Sequence, residues 1–382
     1  MGSITVISNP SRLVFGSKSL STFVSDVKES GLQRLYVLTV SEIMSQLESA
    51  INHIKENGCE VSVNTEIRQE PSFDDYKKLL SEVDEFKPDG VVGIGGGSVL
   101  DTAKLLAATT GSEVSVQEFL AGKEQLKRNT KLICLPTTSG TGSEVSPNAI
   151  FFDPETAGKV GVIDPQLVPD ATYIDPELTL SVPPAVTAST GLDALTHCIE
   201  AYANRFANPI NDLLALEGIK LIGQNLRQAF VDGNDITARE KVALGSMYGG
   251  MCLGPVNTGA VHALAYPLGS TYKIAHGVSN AMLLPFVLEY NLEAAVEKYA
   301  NVAKALDVED KGDDKKTALA GIELIRDMIS EFKIPGRLTD LNIGENEIEE
   351  MANSAIKIQR LLKNNVREVK LQDAIDIYRK AM

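Results

Sequence analysis

Apolar and polar positions alternate in two rhythms along the first half of the chain. Short β-branched runs, RLYVLTV from Arg34, EVSVNTEI from Glu60, DGVVGIGGG from Asp89 and KLICLP from Lys131, read as strands. The segments SEIMSQLESAINHIKENG, SFDDYKKLLSEVDEFKPD and SVLDTAKLLAATTG between them carry apolar residues at helical spacing. Strand and helix in alternation predict right-handed crossovers and a parallel, Rossmann-like sheet covered on both faces, so residues 1–180 are expected to form an α/β domain.

After YIDPELTLSVPP the pattern changes to long helical stretches, among them AVTASTGLDALTHCIEAYANRF, NDLLALEGIKLIGQNLRQAFVDG and KKTALAGIELIRDMISEF. Residues 181–382 are therefore expected to be an all-α domain. Pro176, Pro183 and Pro184 disfavour helix across the junction, which sets the boundary near residue 180.

Composition narrows the class. With 382 residues, 43% hydrophobic and 23% charged, and no apolar run of about eighteen residues, the chain reads as a soluble globular protein without a membrane span. The opening MGSITVISNPSRLVFG has no secretory pattern, so a cytoplasmic location is expected. A net charge of −15, from 36 basic and 51 acidic residues, argues against nucleic acid as a partner. Cys59, Cys134, Cys198 and Cys252 show no CxxC spacing and are expected to be reduced core thiols.

Two loops suit a phosphate-bearing ligand. In DGVVGIGGGSVLDTAK a buried strand runs through three glycines into a helix whose N-terminal dipole suits a pyrophosphate. The pattern is neither GxGxxG nor the Walker sequence, and Ser98 with Asp101 also reads as a ligand-free capping pair. The loop PTTSGTGSEVS, Pro136 to Ser146, follows the next strand and offers a dense set of hydroxyls and backbone donors.

Histidine is scarce. Asp193 and His197 are four apart in TGLDALTHCIEAY and share one helix face, which fits either a helical hydrogen bond or half of a metal site. His262 and His276 are fourteen apart. One straight helix would separate them by about 21 Å. Pro267 and Gly269 are expected to end that helix and let the chain return. One carboxylate and three imidazoles suit a divalent transition ion, Fe2+ or Zn2+ alike. His53, among charged residues, reads as a surface histidine.

The motifs GGGSVLDTAK, PTTSGTGSE, GLDALTHCIEAY, VHALAYPLGSTYKIAHGVSNAMLLP and LLKNNVR together resemble the iron-containing (group III) alcohol dehydrogenases of the dehydroquinate synthase-like superfamily, over essentially the whole chain. The resemblance implies a dinucleotide-binding domain, a helical metal domain and a cleft between them. It further implies NAD- or NADP-linked interconversion of small alcohols and aldehydes with Fe2+, or alternatively Zn2+, and a homodimer or larger homo-oligomer. It puts Asp193, His197, His262 and His276 at the metal, Gly96, Gly97 and Ser98 at the pyrophosphate, and Thr137 and Thr138 beside the cofactor. Ser146, Asn148, Lys159 and Leu178 fall on the cofactor or substrate side, and the apolar Leu253, Leu361 and Phe151 favour a small neutral substrate.

Three positions depart from the family pattern. Tyr266 stands where many relatives have a histidine assigned to proton relay, and is either a relay or a core aromatic. Thr39-Val40 replaces Thr-Asp, which favours tolerance of NADP, whereas Glu70 in place of an asparagine before Pro71 works against a 2′-phosphate. Some relatives with this tyrosine transfer hydride between a hydroxyacid and an oxoacid. A dehydroquinate synthase-like lyase is disfavoured, because Lys273 is the only basic residue between His262 and His276.

Overall fold

The computed structural model describes residues 4–67, 72–112, 115–120, 125–153 and 158–382; Glu70 and Pro71 lie outside them. The chain divides into two compact units, Ile7–Val182 and Pro183–Met382, the second also taking in residues 4–6.

In the first unit the described elements are β1 (Arg12–Phe15), α1 (Ser19–Ser30), β2 (Arg34–Leu38), α2 (Met44–Glu56), β3 (Glu60–Asn64), α3 (Phe73–Phe86), β4 (Gly90–Gly95), α4 (Gly97–Thr109), α5 (Val116–Leu120), β5 (Lys131–Pro136), β6 (Asn148–Asp153), β7 (Gly158–Ile163) and β8 (Ala171–Ile174). Six strands form a parallel sheet in the order β1-β8-β5-β4-β2-β3, and β6 pairs antiparallel with β7. Strand alternation sorts the core into two layers. Tyr36, Leu38 and Val91 pack with α3 and α4, whereas Leu35, Val37 and Val92 pack with α1 and α2. The helices after β2 and β4 therefore leave on opposite faces of neighbouring strands, and a crevice of that kind, at carboxyl strand ends, is where open α/β sheets bind ligands.

The second unit holds α6 (Pro184–Tyr202), α7 (Pro209–Val231), α8 (Ile236–Leu253), α9 (Ala260–Tyr272), α10 (His276–Asn291), α11 (Val296–Ala305), α12 (Asp314–Glu331), α13 (Ile348–Ala355), α14 (Gln359–Leu362) and α15 (Leu371–Lys380). Residues 191–204 are buried without a break, because α7, α8 and α10 all pack on α6. This explains why its sequence is apolar on nearly every side.

The reversal between His262 and His276 differs from the expectation. Pro267 and Gly269 do not end α9; the helix runs through both to Tyr272. It stops where Lys273 turns left-handed, φ 57°, and the N–H groups of Lys273 and Ile274 both return to the Leu268 carbonyl. Proline inside a helix forfeits one hydrogen bond, and burial of Ala260 to Gly269 offsets that loss.

Candidate metal and cofactor sites

In the helical unit, Asp193 lies in the middle of α6, His262 in the first turn of α9 and His276 at the start of α10. Gly277 is what lets α10 begin there: a Cβ on it would come 2.3 Å from the Ser189 carbonyl oxygen on α6. Donor atoms of Asp193, His262 and His276 all fall within 4.8 Å of one another, the one such group among the described residues. Asp193 Oδ1 is 3.6 Å from His262 Nε2 and 3.8 Å from His276 Nε2.

His197, one turn after Asp193, stacks its ring on His262 with centroids 4.7 Å apart, but is not in the group of three. The His262 and His276 rings meet edge to face at 5.3 Å. Asp193 and His262 are buried, and the His276 side chain is 30% exposed.

Electrostatics favour a carboxylate here. Burial alone would raise the pKa of Asp193, but His197, His276, His262 and the Asn280 amide outweigh it and bring it down to about 2. Asn280 Nδ2 donates to Asp193 Oδ1 at 2.7 Å and lies 3.2 Å from His276 Nε2.

His262 Nε2 is buried with no hydrogen-bond partner among the described residues and faces a carboxylate oxygen too distant to bond. Nitrogen and oxygen donors about 2.1 Å from one ion stand roughly 3 to 3.5 Å apart, close to the separations seen. The residues fit a divalent metal.

Tyr266 follows His262 by one turn of α9, its ring 6.3 Å from that of His276, and its hydroxyl accepts a hydrogen bond from Arg360 Nη2 at 2.6 Å. Glu200, which sequence reasoning passed over, is buried on α6 and meets His262 Nδ1 at 2.6 Å. Its signal was its place seven residues after Asp193, two turns along the same face.

In the α/β unit the glycine loop and the threonine loop are brought together by register, since Gly95 pairs with Pro136 at the carboxyl ends of β4 and β5. A Cβ on Gly97 would stand 2.6 Å from Thr141 Cγ2, and one on Gly96 3.3 Å from Thr138 Oγ1. Bare backbone is needed there. Gly96 is the N-cap of α4 with no side-chain cap, so the Ser98–Asp101 capping reading does not hold. Asp101 instead accepts from the Ser143 hydroxyl and, at 2.8 Å, from Ile150 N–H. The buried Lys104 donates to Ser143 Oγ at 3.0 Å, Ser146 Oγ at 3.5 Å and the Asn148 carbonyl at 2.6 Å.

Thr137 N–H donates to the Gly95 carbonyl at 3.0 Å, and Asn148 Oδ1 is buried without a partner among the described residues. Leu178 is buried with the α1 and α2 layer, and Phe151 is buried with its ring against those of Phe73 and Tyr76. Lys159 lies on β7. Val40, after β2, bridges Glu66, and Thr39 Oγ1 donates to the Ile94 carbonyl at 2.7 Å.

Residues 10–176 match the profile of iron-containing alcohol dehydrogenase, and 187–382 match the Fe-containing alcohol dehydrogenase family, C-terminal. The chain is 36% identical over 353 residues to long-chain-alcohol dehydrogenase 1 of Geobacillus thermodenitrificans, covering 91% of this chain and 89% of that one. It is similar to the crystal structure of a 1,3-propanediol oxidoreductase at 31% identity and TM-score 0.94, covering 100% of both chains. It is also similar to sulfoacetaldehyde reductase of Bifidobacterium kashiwanohense in complex with NAD+, at 25% identity and TM-score 0.90, covering 100% of this chain and 99% of that one.

Proposed function

Because the chain belongs to the iron-containing alcohol dehydrogenase family, we propose that Asp193, His197, His262 and His276 together hold its divalent metal and that the loops of the α/β unit hold its nicotinamide. The protein is an oxidoreductase acting on the CH–OH group of alcohols, and on aldehydes in reverse, with NAD or NADP and a divalent metal. The observation that carries the metal reading is the buried His262 Nε2, which faces Asp193 and His276 with no hydrogen-bond partner among the described residues.

Oxidation removes a hydride from the alcohol carbon to the nicotinamide and a proton from its oxygen to solvent, leaving a carbonyl. A divalent ion in this set, Fe2+ first and Zn2+ as the alternative, supplies a Lewis acid that stabilises negative charge on the substrate oxygen. Asp193 supplies the compensating charge, and Asn280 fixes its direction. Tyr266 passes the proton toward solvent.

In the α/β unit, Gly96, Gly97 and Ser98 take the pyrophosphate at the start of α4, and Thr137 and Thr138 lie beside the cofactor. Ser146, Asn148, Lys159 and Leu178 line the cofactor or substrate side. The apolar, buried Leu253 and Leu361 support a small neutral substrate. Among the described residues no helix is long and apolar enough to cross a membrane. Four free, buried cysteines support a reducing cytoplasm, and the proposed assembly is a homodimer or larger, which sedimentation measures.

The test strips the protein with a chelator, reloads it with Fe2+ or Zn2+, and follows NADH or NADPH absorbance with a panel of aldehydes. Metal-dependent oxidation is expected. Equal turnover before and after reloading would sink the metal assignment.

A further inference from the structure

Glu200 is placed differently from a solvent-facing helical acid. Its Oε1 accepts the Val261 backbone N–H at 2.6 Å, and its Oε2 lies 2.6 Å from His262 Nδ1. Both oxygens are thus engaged on the first turn of α9.

A neutral imidazole carries one N–H and one lone pair. The short contact to a carboxylate gives the proton to Nδ1, because a charge-assisted hydrogen bond forms there and none forms across the 3.6 Å from Nε2 to Asp193 Oδ1. The Nε2 lone pair then faces a carboxylate oxygen in buried space with no hydrogen between them. A cation resolves that confrontation.

We propose that Glu200 is a positioning residue for the metal: it holds His262 as the Nδ1–H tautomer and aims the Nε2 lone pair at Asp193 and His276. The proposal rests on the metal-site reading above. It also gives the LLKNNVR segment a task. Asn364 Nδ2 donates to the Thr258 carbonyl at 2.8 Å, and Asn204 Nδ2 donates to that of Val256 at 3.1 Å, which fixes the turn leading into α9. A Cβ on Gly259 would stand 3.2 Å from Glu200 Oε1 and 3.4 Å from Asn365 Oδ1, so the turn lies directly against the carboxylate.

Two measurements on the full-length, metal-free protein decide it. Zn2+ affinity is read by competition with a chromophoric chelator for wild type, Glu200→Gln and His276→Ala. Glu200→Gln is expected to weaken Zn2+ about 10- to 100-fold, as loss of a carboxylate behind a ligating histidine does. Wild-type affinity in Glu200→Gln, with binding lost in His276→Ala, overturns the positioning role and leaves the metal site standing. Wild-type affinity in His276→Ala overturns the site reading itself.

The second measurement needs no variant that might misfold at Glu200. The 15N shifts of His262 in labelled wild-type protein at pH 9, assigned by their loss in His262→Asn, are expected to show the proton on Nδ1. A proton on Nε2 overturns the proposal.

Discussion

Two buried polar clusters, one in each unit, are built on opposite principles. Around Lys104 in the α/β unit, charges and hydroxyls are matched to each other: the ammonium meets three oxygens, and both Asp101 oxygens accept hydrogen bonds. Around Asp193 in the helical unit, acceptor faces acceptor, and His262 Nε2 and Asn280 Oδ1 are buried without partners among the described residues. A cluster whose charges are matched from within braces loops, even though Asn148 Oδ1 at its edge has no partner among the described residues. One left with unspent acceptors is shaped for something it must still receive.

The contrast breaks most sharply at His276, whose side chain is partly exposed and whose removal leaves Asp193 its hydrogen bond from Asn280. His276→Ala is expected to cost at least about 1000-fold in turnover, the scale of losing Lewis-acid stabilisation, while urea denaturation of the metal-free protein shifts by less than about 1 kcal/mol. A large stability loss would make the helical cluster structural.

Lys104→Met is expected to do the reverse. Removing the buried ammonium takes away the positive charge near the buried Asp101 and should destabilise by about 3 kcal/mol in urea, while Zn2+ affinity is unchanged. Adding Asp101→Asn should return part of that loss, because the two side chains share Ser143.

The α/β cluster is also sensitive to pH through Glu144, whose pKa burial pushes up to about 7. Between the ordinary glutamate range and pH 7 the folded protein holds a proton that the unfolded chain has released. Stability therefore falls as pH rises through this window and levels off above it. Glu144→Gln should flatten that fall by about 1 to 3 kcal/mol between pH 5 and pH 8 in urea melts. Parallel curves for wild type and variant would remove the buried acid from the account.

Periodicity exposed much of this in advance, where spacing within one element carries the geometry. Asp193 and His197 share a face of α6 because four residues make about one turn. Glycines before α4 mark a close approach for the same local reason. What failed depended on tertiary context: Pro267 does not end α9, because its helix is buried, and a non-glycine, Lys273, supplies the left-handed stop. Glu200 was hidden because nothing local separates an acid aimed at a histidine 62 residues away from one facing water. The ring contacts of Phe151 with Phe73 and Tyr76 were hidden for the same reason, since they join residues far apart in the chain.

The smallest effect is expected at Tyr266. Its hydroxyl is already an acceptor for Arg360, so its own proton is directed elsewhere, which suits a relay. Positioned proton transfer is usually worth about 100-fold or more. Here, however, the neighbouring His276 is partly open to solvent, which offers the proton a second exit. Tyr266→Phe keeps the ring against His276 and removes only the hydroxyl, and Arg360, half-buried, regains water as its partner. Turnover should therefore fall by no more than about tenfold, with a shifted pH profile and stability within about 1 kcal/mol. An unchanged profile would reduce Tyr266 to a packing aromatic. A thousandfold loss would mean that solvent at His276 does not serve the proton, and that the helical cluster is more closed than its exposure implies.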